Sequence, residues 1–367
     1  MKFRFLIACP TLSGGGAERV VSILSGALAE LGHDVALLLE RRAENEYPIN
    51  QKVKIYTFDA SYSRSQGSVL SRIRMRNKIY TNIIKEYMPD FVMPFLVGMV
   101  REMYFACKPF KNVKFIATLR NNPNKDTKNI YRIIQNYVFS HSDYLFLQTD
   151  SQKLFVPRRS HAKVFIVPNP ICSNMLNVRL PYNDSIYRFI TCGRLNAQKN
   201  HSLMIDSFVR AHEKYPEIYL DIFGEGELFE QLNRLIFEKN AASYIRLKGR
   251  TNNISETLSQ YDCFLFSSDY EGMPNALMEA MGAGLVCIST DCPTGPKELI
   301  GDNERGFLYS VGNANELTQR IKYVINNNDI SRNKAEKARK FINEKFSEVS
   351  IAKKLVEKLE ELGECDE

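Results

Sequence analysis

Four side chains in the second half of the chain combine the chemistries that a sugar bound to phosphate requires. Arg194 and Lys199 stand five apart in Cys192-Gly193-Arg194-Leu195-Asn196-Ala197-Gln198-Lys199-Asn200, and Glu271 and Glu279 have seven residues between them in Tyr270–Gly284. Carboxylates accept hydrogen bonds from hydroxyl groups. An arginine, bidentate, and a lysine, as a point charge, can neutralise a diphosphate without a metal. Alone, the cation pair reads as two solvated surface charges; beside a two-glutamate element at a neighbouring strand end, it reads as a site.

The elements that hold these residues follow from hydrophobic pattern. Cys263–Ser268 is an apolar run, read as a buried parallel strand, and its continuation reads as a helix. Pro274 suits the first helical turn, and Leu277, Ala280 and Met281 form an apolar stripe at helical spacing. One glutamate then precedes the helix and the other projects from its second turn. The backbone N–H groups of Met273, Asn275 and Ala276 lie between them, where a helix N-terminus receives an anion. Phosphate flanked by two hydroxyl-binding carboxylates points to a nucleotide sugar.

A second ligand-facing turn lies near the N-terminus, Leu12-Ser13-Gly14-Gly15-Gly16-Ala17-Glu18-Arg19, between a strand and a helix. Glycines here let backbone approach a phosphate or sugar closely. A dinucleotide fingerprint needs a third glycine where Arg19 stands, so NAD or flavin binding is not expected, although Glu40 ends the second strand where a ribose-binding acid would lie. No D-x-D sequence occurs, so a metal-independent site with no cofactor beyond the nucleotide sugar is expected. The five histidines do not cluster. His33 reads as structural; His201 reads equally as a phosphate contact or as a surface residue at a helix start.

The 367 residues favour two domains, and 44% hydrophobic with 25% charged residues describes a globular chain. The first half alternates strands at Phe3–Ala8, Asp34–Glu40, Val53–Phe58, Phe91–Leu96, Lys114–Thr118, Tyr144–Gln148 and Lys163–Val167 with helical segments, which implies a doubly wound parallel sheet. Pro168-Asn169-Pro170 interrupts the pattern, which then restarts at Arg188–Cys192. Expected domains are therefore 1–170, completed by the amphipathic C-terminal helix 349–367, and 171–348. Ligands of open α/β sheets bind at the carboxyl ends of strands, where all the motifs above fall.

Partners are bounded less sharply. The net charge of +7 reads either as a solvated surface or as attraction to an anionic membrane or phosphate-bearing substrate; no nucleic-acid module is visible. In Val69–Tyr87, Val69, Ile73, Tyr80, Ile84 and Tyr87 share one helical face and read as core. Arg72, Arg74, Arg76 and Lys78 step by two over both flanks, where they could meet anionic lipid or an acceptor diphosphate. The opening Lys2–Pro10 reads as the first strand, not a signal sequence, and no run is long enough to span a bilayer. Eight cysteines without C-x-x-C spacing favour a reducing cytoplasm and argue against structural zinc.

Gly14-Gly15-Gly16-Ala17-Glu18-Arg19-Val20, Gly193-Arg194-x-x-x-x-Lys199, and Glu271 and Glu279 with Gly272 and Pro274 together resemble the family 4 retaining glycosyltransferases of GT-B architecture, two Rossmann-like domains facing across a cleft. Asp291–Glu298 further resembles members that build capsule, O-antigen, lipopolysaccharide or lipid-linked oligosaccharide. The resemblance implies that the second domain binds the nucleotide sugar, most commonly a UDP-hexose or UDP-N-acetylhexosamine. Arg194 and Lys199 would hold the departing diphosphate, Glu279 the ribose and Glu271 the transferred sugar. Gly249 and Arg250 would edge the base, Gly272, Met273, Asn275 and Ala276 would border the phosphates, and Gly15 and Gly16 would close over the donor. Many members carry a histidine in the first-domain loop that here reads Ala117–Pro123; Arg120 and Asn121 would take its place beside sugar or acceptor. The implied acceptor is a lipid-linked or polysaccharide glycan, met by a cytoplasmic protein peripheral to the inner membrane face. A GT-B epimerase, a phosphorylase and a non-catalytic nucleotide-sugar-binding subunit share this outline and remain open. Retention would arise by front-face departure of the diphosphate, or by double displacement, for which Glu271 is the only obvious nucleophile.

Overall fold

The computed structural model describes residues 1–58, 68–120, 129–176, 178, 185–251 and 253–363. The chain forms two compact units, Met1–Pro170 with Glu348–Glu367, and Ile171–Ser347.

In the first unit, β1 (Arg4–Cys9), β2 (Asp34–Leu39), β3 (Lys54–Thr57), β4 (Phe91–Pro94), β5 (Lys114–Leu119), β6 (Tyr144–Leu147) and β7 (Val164–Ile166) pair in the order β3-β2-β1-β4-β5-β6-β7. All pairs are parallel. Helices α1 (Gly16–Glu30), α2 (Val69–Tyr87), α3 (Val97–Cys107) and α4 (Asn129–His141) connect the strands. Phe5 through Cys9 are buried on both faces of the sheet, which explains why the strand reads as a continuous apolar run instead of an alternating one. The strand order reverses between β1 and β4, so the Gly14–Gly16 turn lies at a topological switch point.

The second unit repeats the plan. β8 (Arg188–Cys192), β9 (Tyr219–Phe223), β10 (Ile245–Gly249), β11 (Cys263–Phe266), β12 (Val286–Thr290) and β13 (Phe307–Tyr309) pair in the order β10-β9-β8-β11-β12-β13. These pairs are parallel as well. The helices used below are α5 (His201–His212), α6 (Phe229–Glu238), α7 (Asn275–Ala283), α8 (Ala314–Asn326) and α9 (Asn328–Phe346). Phe189, Ile222, Leu265 and Ile288 from the sheet pack with Phe208, Ile236 and Ile321 from the helices in one core. β8 and β11 are neighbours, and they flank the second switch point.

The final helix, α10 (Glu348–Gly363), returns to the first unit and packs on α1 through its buried Ile351, Leu355 and Leu359. Where the chain passes between units, Ile171 N donates to Phe346 O at 2.8 Å, and Ile171 bridges Ser347.

Two expectations for α2 need correction. Tyr80, Ile84 and Tyr87 are buried, but Ile73 is 44% exposed, so the core stripe leaves Ile73 out; the Val69 side chain lies outside what is described. The basic residues do not act alike either: Arg74 and Lys78 are exposed, whereas Arg76 turns inward to Glu102 at 2.6 Å and to Glu40 at 3.8 Å. Glu40 also accepts from the buried Tyr80 hydroxyl at 2.8 Å, so this strand-end acid is tied into a structural network. His33 takes the Phe3 N–H on Nδ1 at 3.1 Å and stacks on the Phe3 ring, a packing role.

Candidate functional site

β8 runs into the loop that carries Arg194 and then a 3-10 turn, Ala197–Lys199. Close approach of the segment that follows β9 shapes this loop. Leu195 N donates to Glu225 O at 2.9 Å, and a Cβ on Gly224 would stand 1.8 Å from Gly193 O. Any side chain at Gly224 would push the loop out of place. Arg194 is exposed, and among the described residues its guanidinium makes no ion pair.

β11 ends at Phe266 and is followed by an irregular stretch to Pro274, where α7 begins. Pro274 is the N-cap (φ −79, ψ 102), one position before the helical turn expected for it. Its extended backbone suits a residue whose ring bars any N–H donation. Glu271 and Glu279 are both buried, at 9% and 5% exposure, as are Gly272 and Met273, while Asn275 and Ala276 are half-buried.

The two loops meet through their chemistry-bearing side chains. Lys199 Nζ donates to Glu271 Oε1 at 2.6 Å, with 20% and 11% of the side chains exposed. The ammonium also lies 5.2 Å from the Phe266 ring centroid. Three further contacts fasten the loops: Gln198 Nε2 to Tyr270 O at 2.7 Å, Asp269 N to Gln198 O at 2.9 Å, and Ser267 Oγ to Lys199 O at 2.7 Å. Asn200, left-handed at φ 46, caps α5 and donates to Asp269 Oδ1 at 2.9 Å. From the loop after β12, the buried Thr294 hydroxyl donates to the Glu271 carbonyl oxygen. Next to it, Gly295 (φ +93) lies so close that a Cβ would come within 2.6 Å of Gly272 O and Pro274 Cδ.

Sequence reasoning singled out the ionic residues and missed the clasp formed by Gln198, Asp269 and Thr294. Gln198 and Thr294 are uncharged, and Asp269 meets Gln198 through its backbone N–H. The only signal was that each sits in a loop leaving the carboxyl end of a strand, Thr294 in a proline- and glycine-rich turn.

His201, at the start of α5, is 2% exposed, which removes the surface reading. Burial, helped by the Lys199 charge, pushes its imidazole down to about 4, so it is neutral near pH 7. Cys292 is pushed up to about 12 by burial and then by the Glu271 charge, which keeps it a thiol. Gly249 closes β10 at φ +67 and accepts from Gly224 N, and Arg250 beyond it is exposed. Among the described residues, no three His, Cys, Asp or Glu side chains form a group able to hold a metal ion.

In the first unit, Gly15 is the extended N-cap of α1 and Gly16 its first residue. Arg120 follows β5, lies over the Phe95 ring at 4.2 Å and donates through Nη1 to Asn169 Oδ1 at 3.1 Å. Burial pushes its guanidinium down to about 9. Asn121 lies outside the described residues.

A cation and a buried carboxylate are thus joined at the switch point of a doubly wound unit, beside a helix N-terminus, the kind of place where open α/β sheets receive ligands. Comparison with known proteins gives the family. Residues 179–341 match the family model described as glycosyl transferases group 1. An uncharacterized glycosyltransferase of Methanocaldococcus jannaschii is 33% identical over 281 residues, 68% of this chain and 67% of that protein. A Campylobacter jejuni α-1,4-N-acetyl-D-galactosaminyltransferase, named for a GalNAc-containing undecaprenyl-diphosphate substrate, is 25% identical over 89% of each chain. The Anabaena HepE structure with UDP and glucose superposes with a TM-score of 0.81 at 15% identity, over 98% of this chain and 100% of that one. The chain belongs to the group 1 glycosyl transferases. It is a glycosyltransferase of GT-B fold.

Proposed function

We propose that the protein moves a hexose or N-acetylhexosamine from a nucleoside diphosphate sugar, with UDP as the nucleotide, to a lipid-linked glycan, retaining the anomeric configuration. The observation that carries this reading is the Lys199–Glu271 pair, with the exposed Arg194 on the same loop as Lys199. As the sugar–phosphate bond breaks, negative charge grows on the leaving diphosphate. Arg194 and Lys199 stabilise that charge more strongly in the transition state than in the bound donor. Glu271 receives hydroxyls of the transferred sugar, Glu279 those of the ribose, and the α7 N-terminus with Gly272, Met273, Asn275 and Ala276 borders the phosphates. Gly249 and Arg250 edge the base.

Because two side-chain cations answer the diphosphate charge, the reaction runs without a divalent metal. The diphosphate leaves from the face that the acceptor hydroxyl attacks, and its oxygen takes the acceptor proton. Glu271, held to Lys199, then orients the sugar and does not attack it. The acceptor reading is supported by the Campylobacter relative, named for an undecaprenyl-diphosphate-linked substrate. Among the described residues no helix is long and apolar enough to cross a membrane. The protein meets its acceptor peripherally, at the inner face of the cytoplasmic membrane, in building surface polysaccharide.

The test is transfer in EDTA from UDP-glucose, UDP-N-acetylglucosamine and UDP-N-acetylgalactosamine to a polyprenyl-diphosphate saccharide, with the product anomer read by NMR. An α-linked product is expected. A β-linked product, or turnover only with added metal, contradicts the reading.

A further inference from the structure

Helix α4 turns an apolar face to solvent. Its inner side is ordinary, with Gln135, Val138 and Phe139 buried. Its outer side exposes Ile130 (59%), Ile133 (66%) and Tyr137 (38%), and Tyr131 (46%) is exposed in its first turn. Large side chains exposed singly are normal, but four on one helix are not.

The patch continues on both flanks. On one side Tyr137 meets the Tyr104 ring of α3, which in turn meets the exposed Phe105. On the other side lies the 3-10 segment Asp150–Phe155, whose Leu154 is 84% exposed. A cavity of about 230 Å³ joins that segment to α4.

Charge identifies the occupant. α4 holds no acidic residue. Its rim is cationic: Arg132, Arg158 and Arg159 are exposed, Arg159 is anchored through Nε to Ser140 Oγ at 2.6 Å, and Arg101 lies over the Tyr131 ring at 4.7 Å. The nearby Asp150 is paired with Lys153. Isoleucine and leucine at the centre, tyrosines beside them and arginines at the edge match the layers of an anionic bilayer surface, from acyl chains through the interface to phosphate headgroups.

We infer that the α4 face, with Phe105 and Leu154, is the surface by which the first unit docks on anionic lipid. This inference rests on the membrane-bound acceptor proposed above and replaces α2 as the contact, since Arg76 there is turned inward.

The test is co-sedimentation of the full chain with phosphatidylcholine vesicles, with and without phosphatidylglycerol. Wild type should bind the anionic vesicles, and added salt should weaken that binding. Combined Ile130→Ser, Ile133→Ser and Leu154→Ser should weaken it at least tenfold. Arg132→Gln with Arg159→Gln should weaken binding to anionic vesicles alone, and Arg74→Gln with Lys78→Gln on α2 should leave it unchanged. Unaltered circular dichroism, melting and UDP affinity would show that each variant is folded.

Full vesicle binding by the triple-serine variant would overturn the inference, as would no binding by wild type. A wild-type dimer that the triple-serine variant converts to monomer would also overturn it, by assigning the face to a second copy of the chain. Loss of UDP binding with vesicle binding intact would instead count against the donor site alone.

Discussion

Lys199 and Glu271 are 72 positions apart in sequence, yet Lys199 Nζ stands 2.6 Å from Glu271 Oε1. They follow β8 and β11, strands that pair directly at the switch point of the second sheet. The fold thus delivers a cation and a carboxylate already oriented by one another, the pair to which we assign phosphate and sugar hydroxyls. Each supplies a counter-charge for the other's burial, so neither side chain must be reorganised from solvent when a donor arrives.

Removing the cation should therefore damage catalysis more than folding. Lys199→Ala is expected to lower kcat/KM by about 10²–10³-fold, the range for losing one preorganised transition-state donor. Leaving Glu271 without its hydrogen-bonded partner should cost about 2 kcal/mol of stability. Steady-state kinetics and denaturant melts check both, and a loss below tenfold in kcat/KM would contradict the role.

The clasp should matter through position, not charge. Thr294→Val removes the hydroxyl that bonds the Glu271 carbonyl oxygen, and Gln198→Ala removes the bond to Tyr270 O. Each is expected to reduce kcat about tenfold while costing about 1 kcal/mol of stability, the net worth of one hydrogen bond. Wild-type kcat in both variants would show that the loops hold without them.

Gly295→Ala is a steric test of the same loop. Its Cβ would stand 2.6 Å from Gly272 O and Pro274 Cδ, at a left-handed φ of +93. Expected are a loss of about 1–3 kcal/mol and a displaced Glu271 segment. An unchanged melting temperature together with unchanged donor affinity would show that the segment gives way freely.

His201 sets a pH dependence of stability. Its folded imidazole is pushed from 6.5 down to about 4 by burial, so between those values the unfolded chain binds the extra proton. Stability from this group is fully present above pH 6.5 and is lost as pH falls toward 4, by about 3 kcal/mol. His201→Gln should flatten the melting-temperature profile across that window relative to wild type. Parallel profiles would contradict the assignment.

Much of the architecture was legible because buried parallel strands are continuous apolar runs: Arg188–Cys192, Tyr219–Phe223 and Val286–Thr290 coincide with the strands found. β13, Phe307–Tyr309, went unread, since three residues carry little pattern, although the equally short β7 fell within Lys163–Val167. Within α2, helical spacing identified the face of Tyr80 and Ile84 but not where the core ends, which depends on what packs against each turn. Ile73 and Arg76 show this directly, one exposed and the other drawn in by Glu102. In the site, the charged residues were visible from type and spacing. Their mutual pairing was not, because the strand order that joins residues 199 and 271 is a property of the sheet. The apolar face of α4 was invisible for the converse reason. Only the fold shows which side of an apolar helix is left uncovered.

We propose that Arg194, Lys199, Glu271 and Glu279 together form a metal-independent nucleoside diphosphate site. The most direct test is calorimetric titration of UDP in EDTA with wild type, Arg194→Ala and Glu279→Ala, with NAD as control. Wild type is expected to bind UDP without metal, both variants to lose at least tenfold in affinity, and NAD not to bind. Absence of UDP binding by the wild type, affinities in both variants equal to wild type, or binding of NAD alone would contradict it.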